Sequence, residues 1–255
     1  MGLVTDGLVN QLDAVNLLHS GEFTDGQSLK DALIPDSVDP KGWLGDGYDL
    51  VFAATGGPNS MPVIRFQQGF LHQRNATDFY AYENITVMLI GQRTGTSWGK
   101  RWMGLYSMFF NDTKSGLNLM AVTDDNNDGG YQYWGTIGKA SHKSGDAMTL
   151  NTPVILGATL GVSTPGKLYT NGVPSTVSTF PDSHAQAYYG LGGYEFARGY
   201  FRGDIYEVLV YNRILSDSEI SQNSTYLYNK WLTLRATWAS ETIPWSSAVF
   251  TWDSA

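Results

Sequence analysis

Three stretches of the sequence carry residue types whose spacing could do chemistry. The first is Asp124-Asp125-Asn126-Asn127-Asp128-Gly129-Gly130. Asp124, Asn126 and Asp128 stand at the first, third and fifth positions of a D-x-N-x-D-G loop, where carboxylate and amide oxygens can wrap a calcium ion. A complete helix-loop-helix site would need Glu at the twelfth position, and Gly135 stands there. The stretch therefore reads either as an incomplete calcium loop or as an acidic hairpin tip rich in turn formers. No cofactor is required, and calcium is the candidate ion.

The second stretch, Gly91–Trp102, sets Trp98 and Trp102 among Arg93, Lys100 and Arg101. An aromatic face flanked by polar groups can stack on a sugar ring and bond its hydroxyls, so Trp98 and Trp102 are candidate glycan contacts. The same tryptophans would serve equally to pack a strand-connecting loop on the edge of a sheet. The third stretch is terminal. Trp231, Trp238, Trp245 and Trp252 recur every seven residues, and Thr237-Trp238-Ala239-Ser240 is echoed in Pro244-Trp245-Ser246-Ser247 and Thr251-Trp252-Asp253-Ser254. Pro244 and the Thr, Ser and Val residues oppose a helical heptad. An extended arm fits better. Three tryptophans are costly to leave in water, so Trp238, Trp245 and Trp252 are expected to dock on a partner or to fold back on their own domain.

The elements that must position these groups are mostly strands. From residue 84 short apolar runs recur: Ile85–Gln92, Gly104–Phe110, Leu117–Thr123, Tyr131–Ile137, Val154–Leu160, Lys167–Thr170 and Phe201–Tyr211. Turn-forming clusters separate them, as in an antiparallel sandwich. Asn171-Gly172 supplies the two positive-φ residues of a type I′ hairpin turn. One helix is expected: Ser216-Asp217-Ser218-Glu219 is a capping box, and Ile220, Leu227 and Trp231 then fall near one face. The first sixty residues look irregular, with only Gly7–Ala14 and Asp49–Ala53 reading as strands. The expected domains are a sandwich over 1–233 and a Trp-repeat arm over 234–255.

Composition narrows the function classes. The 255 residues carry 16 basic and 24 acidic side chains, a net charge of −8, which disfavours nucleic acid as a partner. No apolar run approaches the length of a membrane-spanning helix. Cysteine is absent, which removes disulfides, thiolate metal sites and cysteine nucleophiles. Met1–Asp6 lacks the basic and apolar regions of a secretory signal, while the aromatic, weakly charged composition looks extracellular. A phage particle, assembled in cytosol and released by lysis, reconciles the two, so the expected location is the virion surface.

Gly7-Leu8-Val9-Asn10-Gln11-Leu12-Asp13-Ala14-Val15-Asn16, Lys167-Leu168-Tyr169-Thr170-Asn171-Gly172 and Phe201–Arg213 followed by Leu215–Ile220 together resemble the opening strand, the "K-L-Y-x-N-G" hairpin, and the closing strand and helix of laminin-G-like domains. These belong to the concanavalin A-like lectin/glucanase superfamily, with members in phage virion proteins. The resemblance implies an all-β fold, a jelly-roll sandwich of two antiparallel sheets with one short C-terminal helix. Fold alone does not assign a function.

Glycosidases of that superfamily place acids on one strand face as Glu-x-Asp-x-Glu or a variant one residue longer, and no such run exists here. Asp204 and Glu207 come nearest, but their odd separation predicts opposite faces of a strand. The four histidines, His19, His72, His142 and His184, are scattered. No enzymatic activity is expected. Glu207, expected to share a face with Phe201, Ile205 and Leu209, would need partners if buried, with Arg213 or backbone amides as candidates. Arg202-Gly203-Asp204, an integrin-type tripeptide, falls inside a predicted strand and is set aside.

Two functions remain. The first is a non-enzymatic structural protein of a phage virion, a capsid decoration or tail-associated module held by other virion proteins or copies of itself. The alternative is a carbohydrate-binding module or adhesin that recognises a host-surface glycan.

Overall fold

The computed structural model describes residues 2–34, 43–73, 84–95, 102–110, 118–122, 132–137, 140–147, 149–161, 166–178, 187–192 and 201–233. In chain order the strands are β1 (Leu8–Asp13), β2 (Leu33–Ile34), β3 (Trp43–Ala53), β4 (Val63–Gln73), β5 (Asn84–Arg93), β6 (Trp102–Phe110) and β7 (Asn118–Val122). They continue with β8 (Gln132–Ile137), β9 (Ala140–Ala147), β10 (Val154–Gly161), β11 (Gly166–Thr170), β12 (Val173–Ser178), β13 (Ala187–Leu191) and β14 (Gly203–Tyr211). Helix α1 spans Ala14–Ser20, and α2 spans Asp217–Tyr228 and runs on into a π-helical turn over Asn229–Thr233. The fold is all-β and antiparallel, with a single short C-terminal helix, as expected.

Two features differ from the sequence expectation. The opening segment is more regular than its composition suggests. Asp13 caps α1 by accepting a hydrogen bond from the Val15 amide, and Gly21 ends the helix in the left-handed region. Seven residues are too few for a helical period to emerge from the sequence. Likewise β3 begins at Trp43, not Asp49, and β4 was not anticipated at all; the two pair along nearly their whole length, from Trp43 opposite Gln73 to Ala53 opposite Val63. The second difference is in the sheets. Among the described strands, hydrogen bonds run in one path, β12-β11-β10-β5-β14-β4-β13-β6-β7-β8-β9, and not in two separate sheets. Strand β13 makes the join: Gly190 and Leu191 pair with β4, while the whole strand pairs with β6.

β14 is the centre of the described core. β5 flanks it along one edge, and the other edge is shared, β4 beside Gly203–Ile205 and β1 beside Glu207–Tyr211. All nine of its residues are buried. Register sorts its neighbours onto two faces. Val87 and Leu89 of β5, with Val208 and Val210 of β14, point one way into the apolar interior. Thr86, Met88 and Ile90, with Glu207, Leu209 and Tyr211, point the other way. That second face is covered by α1, α2 and the π-helical turn, and through Ile220, Leu227 and Trp231, all fully buried, the predicted helix face is the one used. Each such side chain taken out of water contributes about 1.5–3 kcal/mol.

The hairpin and the capping box are built as anticipated. Asn171 and Gly172 both have positive φ, 50° and 81°, and join Thr170 to Val173 in a two-residue turn. The Glu219 amide donates to Ser216 Oγ at 3.3 Å, and the Ser216 amide donates to Glu219 Oε2 at 2.8 Å. Among the described residues no helix is long and apolar enough to cross a membrane, which says nothing of a β-barrel.

Candidate functional site

Asp204 and Glu207 are not on opposite faces. Along β14 the register against β5 shifts between Ile205 and Glu207: Asp204 lies opposite Gln92 and Glu207 opposite Ile90. Three steps on one strand match two on the other, so Tyr206 is the extra residue of a β-bulge and the two acids share the helix-covered face. The same shift sends Ile205 to the opposite face from Glu207, correcting the face read from alternation, and Phe201 lies outside the strand. Sequence alternation fails here because one inserted residue inverts parity.

Sharing a face does not make these acids a catalytic pair. Asp204 is fully buried and accepts from Arg65 Nε at 2.7 Å, Arg65 Nη2 at 3.1 Å and Gln92 Nε2 at 3.2 Å. The integrin-type tripeptide therefore ends in a buried, paired carboxylate. Glu207 is also fully buried. Its Oε1 accepts from Gln11 Nε2 at 2.7 Å, and its Oε2 from Lys230 Nζ at 2.7 Å and Trp231 Nε1 at 2.9 Å. Lys230 donates also to Asp13 Oδ2 at 2.6 Å. The expected partner Arg213 is engaged elsewhere, on Glu219 and Asp6. Lys230, on the turn after α2, stands in its place, a contact invisible to a reading confined to one strand.

The electrostatics of this cluster are those of burial. Desolvation first, then the charge of Asp13, raises the Glu207 pKa, while Lys230 and Trp231 oppose the shift. For Lys230 the desolvation that favours its neutral form is outweighed by Glu207 and Asp13, so its pKa is raised. One ammonium thus joins the end of β1, the centre of β14 and the C-terminal turn. Glycoside cleavage needs two carboxyl groups able to reach a glycosidic bond, and these two are spent on holding the fold.

A different polar cluster lies at the surface, where Lys167 and Asp217 reach solvent over a buried Tyr169. Lys167 and Tyr169 lie two residues apart on β11, hence on one face, and Asp217 begins α2 above them. Lys167 Nζ donates to both carboxylate oxygens of Asp217 at 2.9 Å, and the Tyr169 hydroxyl donates to Oδ1 at 2.8 Å. These donors hold the Asp217 pKa below the usual carboxylate range. Tyr169 is buried, which raises its pKa, and its side chain also bonds Thr159. The cluster borders an open groove of about 420 Å³ lined by Thr159, Lys167, Tyr169, Ile214, Leu215 and the Ser216–Ser218 turn. Both Lys167 and Tyr169 belong to the recognised hairpin, but their partner is 50 and 48 residues away, so the sequence offered no local signal for the site.

The other sequence candidates fall differently. Asp124, Asn126, Asp128, Trp98, Trp238, Trp245 and Trp252 lie outside the described residues. Trp102 is placed by its backbone, opening β6 opposite Val122 of β7. Among the described residues no cluster of three or more His, Asp or Glu side chains is arranged to hold a metal ion.

No family model matches the sequence, and no curated protein matches it either. Solved structures do match the fold. Domain 4 of a GH43 extracellular arabinanase from Geobacillus stearothermophilus, in complex with arabinotriose, aligns with a TM-score of 0.59 at 15% identity over 85% of this chain and 98% of that one. Trypanosoma rangeli sialidase in complex with the inhibitor DANA aligns with a TM-score of 0.62 at 15% identity over 88% of this chain and 33% of the enzyme. The binding domain of Paraclostridial Mosquitocidal Protein 1 aligns with a TM-score of 0.58 at 13% identity over 88% of this chain and 53% of that one. The chain thus spans about a third of the sialidase and half of the mosquitocidal domain, and what it shares with all three is the fold of an antiparallel β-sandwich.

Proposed function

We propose that the chain is a non-catalytic carbohydrate-binding domain, used to hold a glycan at a surface. The observation that carries this is the likeness to nearly the whole of an arabinanase domain seen with arabinotriose bound. The burial and pairing of Asp204 and Glu207 support the non-catalytic part. Trp98 and Trp102 are the aromatic side chains proposed to stack on sugar, and calcium at Asp124, Asn126 and Asp128 would order the neighbouring turn.

An array of arabinosyl, galactosyl, glucosyl and sialyl oligosaccharides tests the reading. Binding to at least one class, without release of reducing sugar above a buffer control, is the expected result. Binding to none overturns the carbohydrate reading. Turnover of any bound glycan overturns the non-catalytic one.

The heptad-spaced Trp238, Trp245 and Trp252 support a second reading, a structural component of a phage virion attached through other virion proteins or copies of itself. Buried tryptophans are frequent anchors of interfaces, and truncating a strong one costs about 2 kcal/mol or more. The likenesses to solved structures lend this reading nothing.

A further inference from the structure

We infer that the groove between β11 and the start of α2 is a sugar subsite, in which Lys167 and Asp217 together grip the vicinal hydroxyls of one sugar residue. The inference rests on the carbohydrate reading above and assigns it a place distinct from Trp98 and Trp102. Its volume, about 420 Å³, falls in the range of small-molecule pockets, roughly 300–1,000 Å³. The chemistry of its rim is specific. Lys167 Nζ uses two protons on Asp217 and has a third to give. Asp217 Oδ1 is occupied by Lys167 and Tyr169, whereas among the described residues Oδ2 accepts only from Lys167 and keeps a lone pair.

One donor and one acceptor with bonding capacity to spare, Nζ and Oδ2, lie 2.9 Å apart and match the two adjacent oxygens of a gauche diol. One hydroxyl of the diol donates to Oδ2 while its neighbour accepts from Nζ. Both protein groups are reachable, since 33% of the Lys167 side chain and 55% of the Asp217 side chain is exposed. Neither needs to reorganise, because Tyr169 and Lys167 already hold the carboxylate in place. Ile214 supplies an apolar wall for the C–H face of a sugar, and the Ser216 and Ser218 hydroxyls, 3.0 Å apart, extend the polar rim. The Glu219 amide is taken by Ser216 Oγ within the capping box. Both groups of the ion pair are partly exposed, and exposed pairs contribute little to stability, so removing either charge leaves the fold standing and makes a clean test.

Arabinotriose and sialyllactose are titrated by calorimetry into the full chain and into its Asp217→Asn and Lys167→Met variants, with melting temperatures measured alongside. A roughly ten- to hundredfold loss of affinity in both variants at near-unchanged melting temperature is expected, as for a lost hydrogen bond to a charged group. Affinity kept within about twofold in both overturns the groove and leaves the carbohydrate reading standing. Wild-type protein that binds neither sugar overturns the groove assignment, and the array above then decides the reading beneath it. Should either variant unfold, hydrogen exchange on the wild type decides. Sugar-induced protection at residues 166–170 and 214–219 supports the groove, and protection confined elsewhere overturns it.

Discussion

Lys230 neutralises two buried carboxylates at once, Asp13 at 2.6 Å and Glu207 at 2.7 Å. Lys230→Met would keep most of the packing against Trp231 and Tyr226 but leave both acids without their cation. Breaking a buried pair by removing one partner costs about 3–5 kcal/mol. Urea denaturation of the variant should show a loss of that size, and a loss within experimental error would mean the cluster is solvated. A second residue sets an acid limit. Glu219, held by the Arg213 guanidinium and then by the Ser216 amide, has its pKa lowered from 4.5 to about 2. A carboxylate with a depressed folded pKa contributes stability above its unfolded value, lost as pH falls through the folded one. That contribution is full above about 4.5 and gone near 2. Glu219→Gln should lower the melting temperature at neutral pH and flatten its decline over that window. Glu207 works with the opposite sign, because its pKa is raised and its burial penalty is relieved as it protonates. A variant whose acid profile overlays the wild type would refute the assignment to Glu219.

At the scale of elements, the β11–β12 hairpin and α2 form one unit. Gly172, at φ 81°, sits where an added Cβ would lie 3.0 Å from Ser224 of α2. Gly172→Ala would meet both the left-handed strain, about 1–2 kcal/mol, and the helix. A melting temperature equal to the wild type would show that the turn and helix are not packed as described. The two parts of this unit, though not their contact, were legible in the sequence because each part's signals are local. Asn-Gly dictates a turn through backbone sterics alone, and the capping box through hydrogen bonds three residues apart. β14 was legible as a strand but not in its faces. Its bulge at Tyr206 depends on the change of neighbour from β4 to β1, which no stretch of β14 itself encodes.

At the scale of the whole molecule, we propose that the chain divides functionally near residue 233. Lys230 and Trp231 close the core, so a chain ended after Tyr228 loses the cation of the buried cluster and a fully buried indole. A chain ended after Thr233 keeps both. We propose that this second truncation stays folded, with a melting temperature close to that of the full chain, and loses only what Trp238, Trp245 and Trp252 attach to. A marked fall in its stability would mean that the arm packs on its own sandwich.

The sequence alone determined the fold class, the C-terminal helix with its cap, the I′ hairpin and the absence of cysteine chemistry, since these follow from alternation, turn residues and composition within short windows. Tertiary structure decided which charges meet. It placed Glu207 on Lys230 and not on Arg213, set Asp204 and Glu207 on one face through a single bulge, and brought Lys167 and Tyr169 of a hairpin to Asp217 on a helix. These contacts join residues that are close in space but share no periodicity along the chain: register between two strands sets the faces of β14, and packing of the C-terminal helix brings Lys230 and Asp217 to their partners.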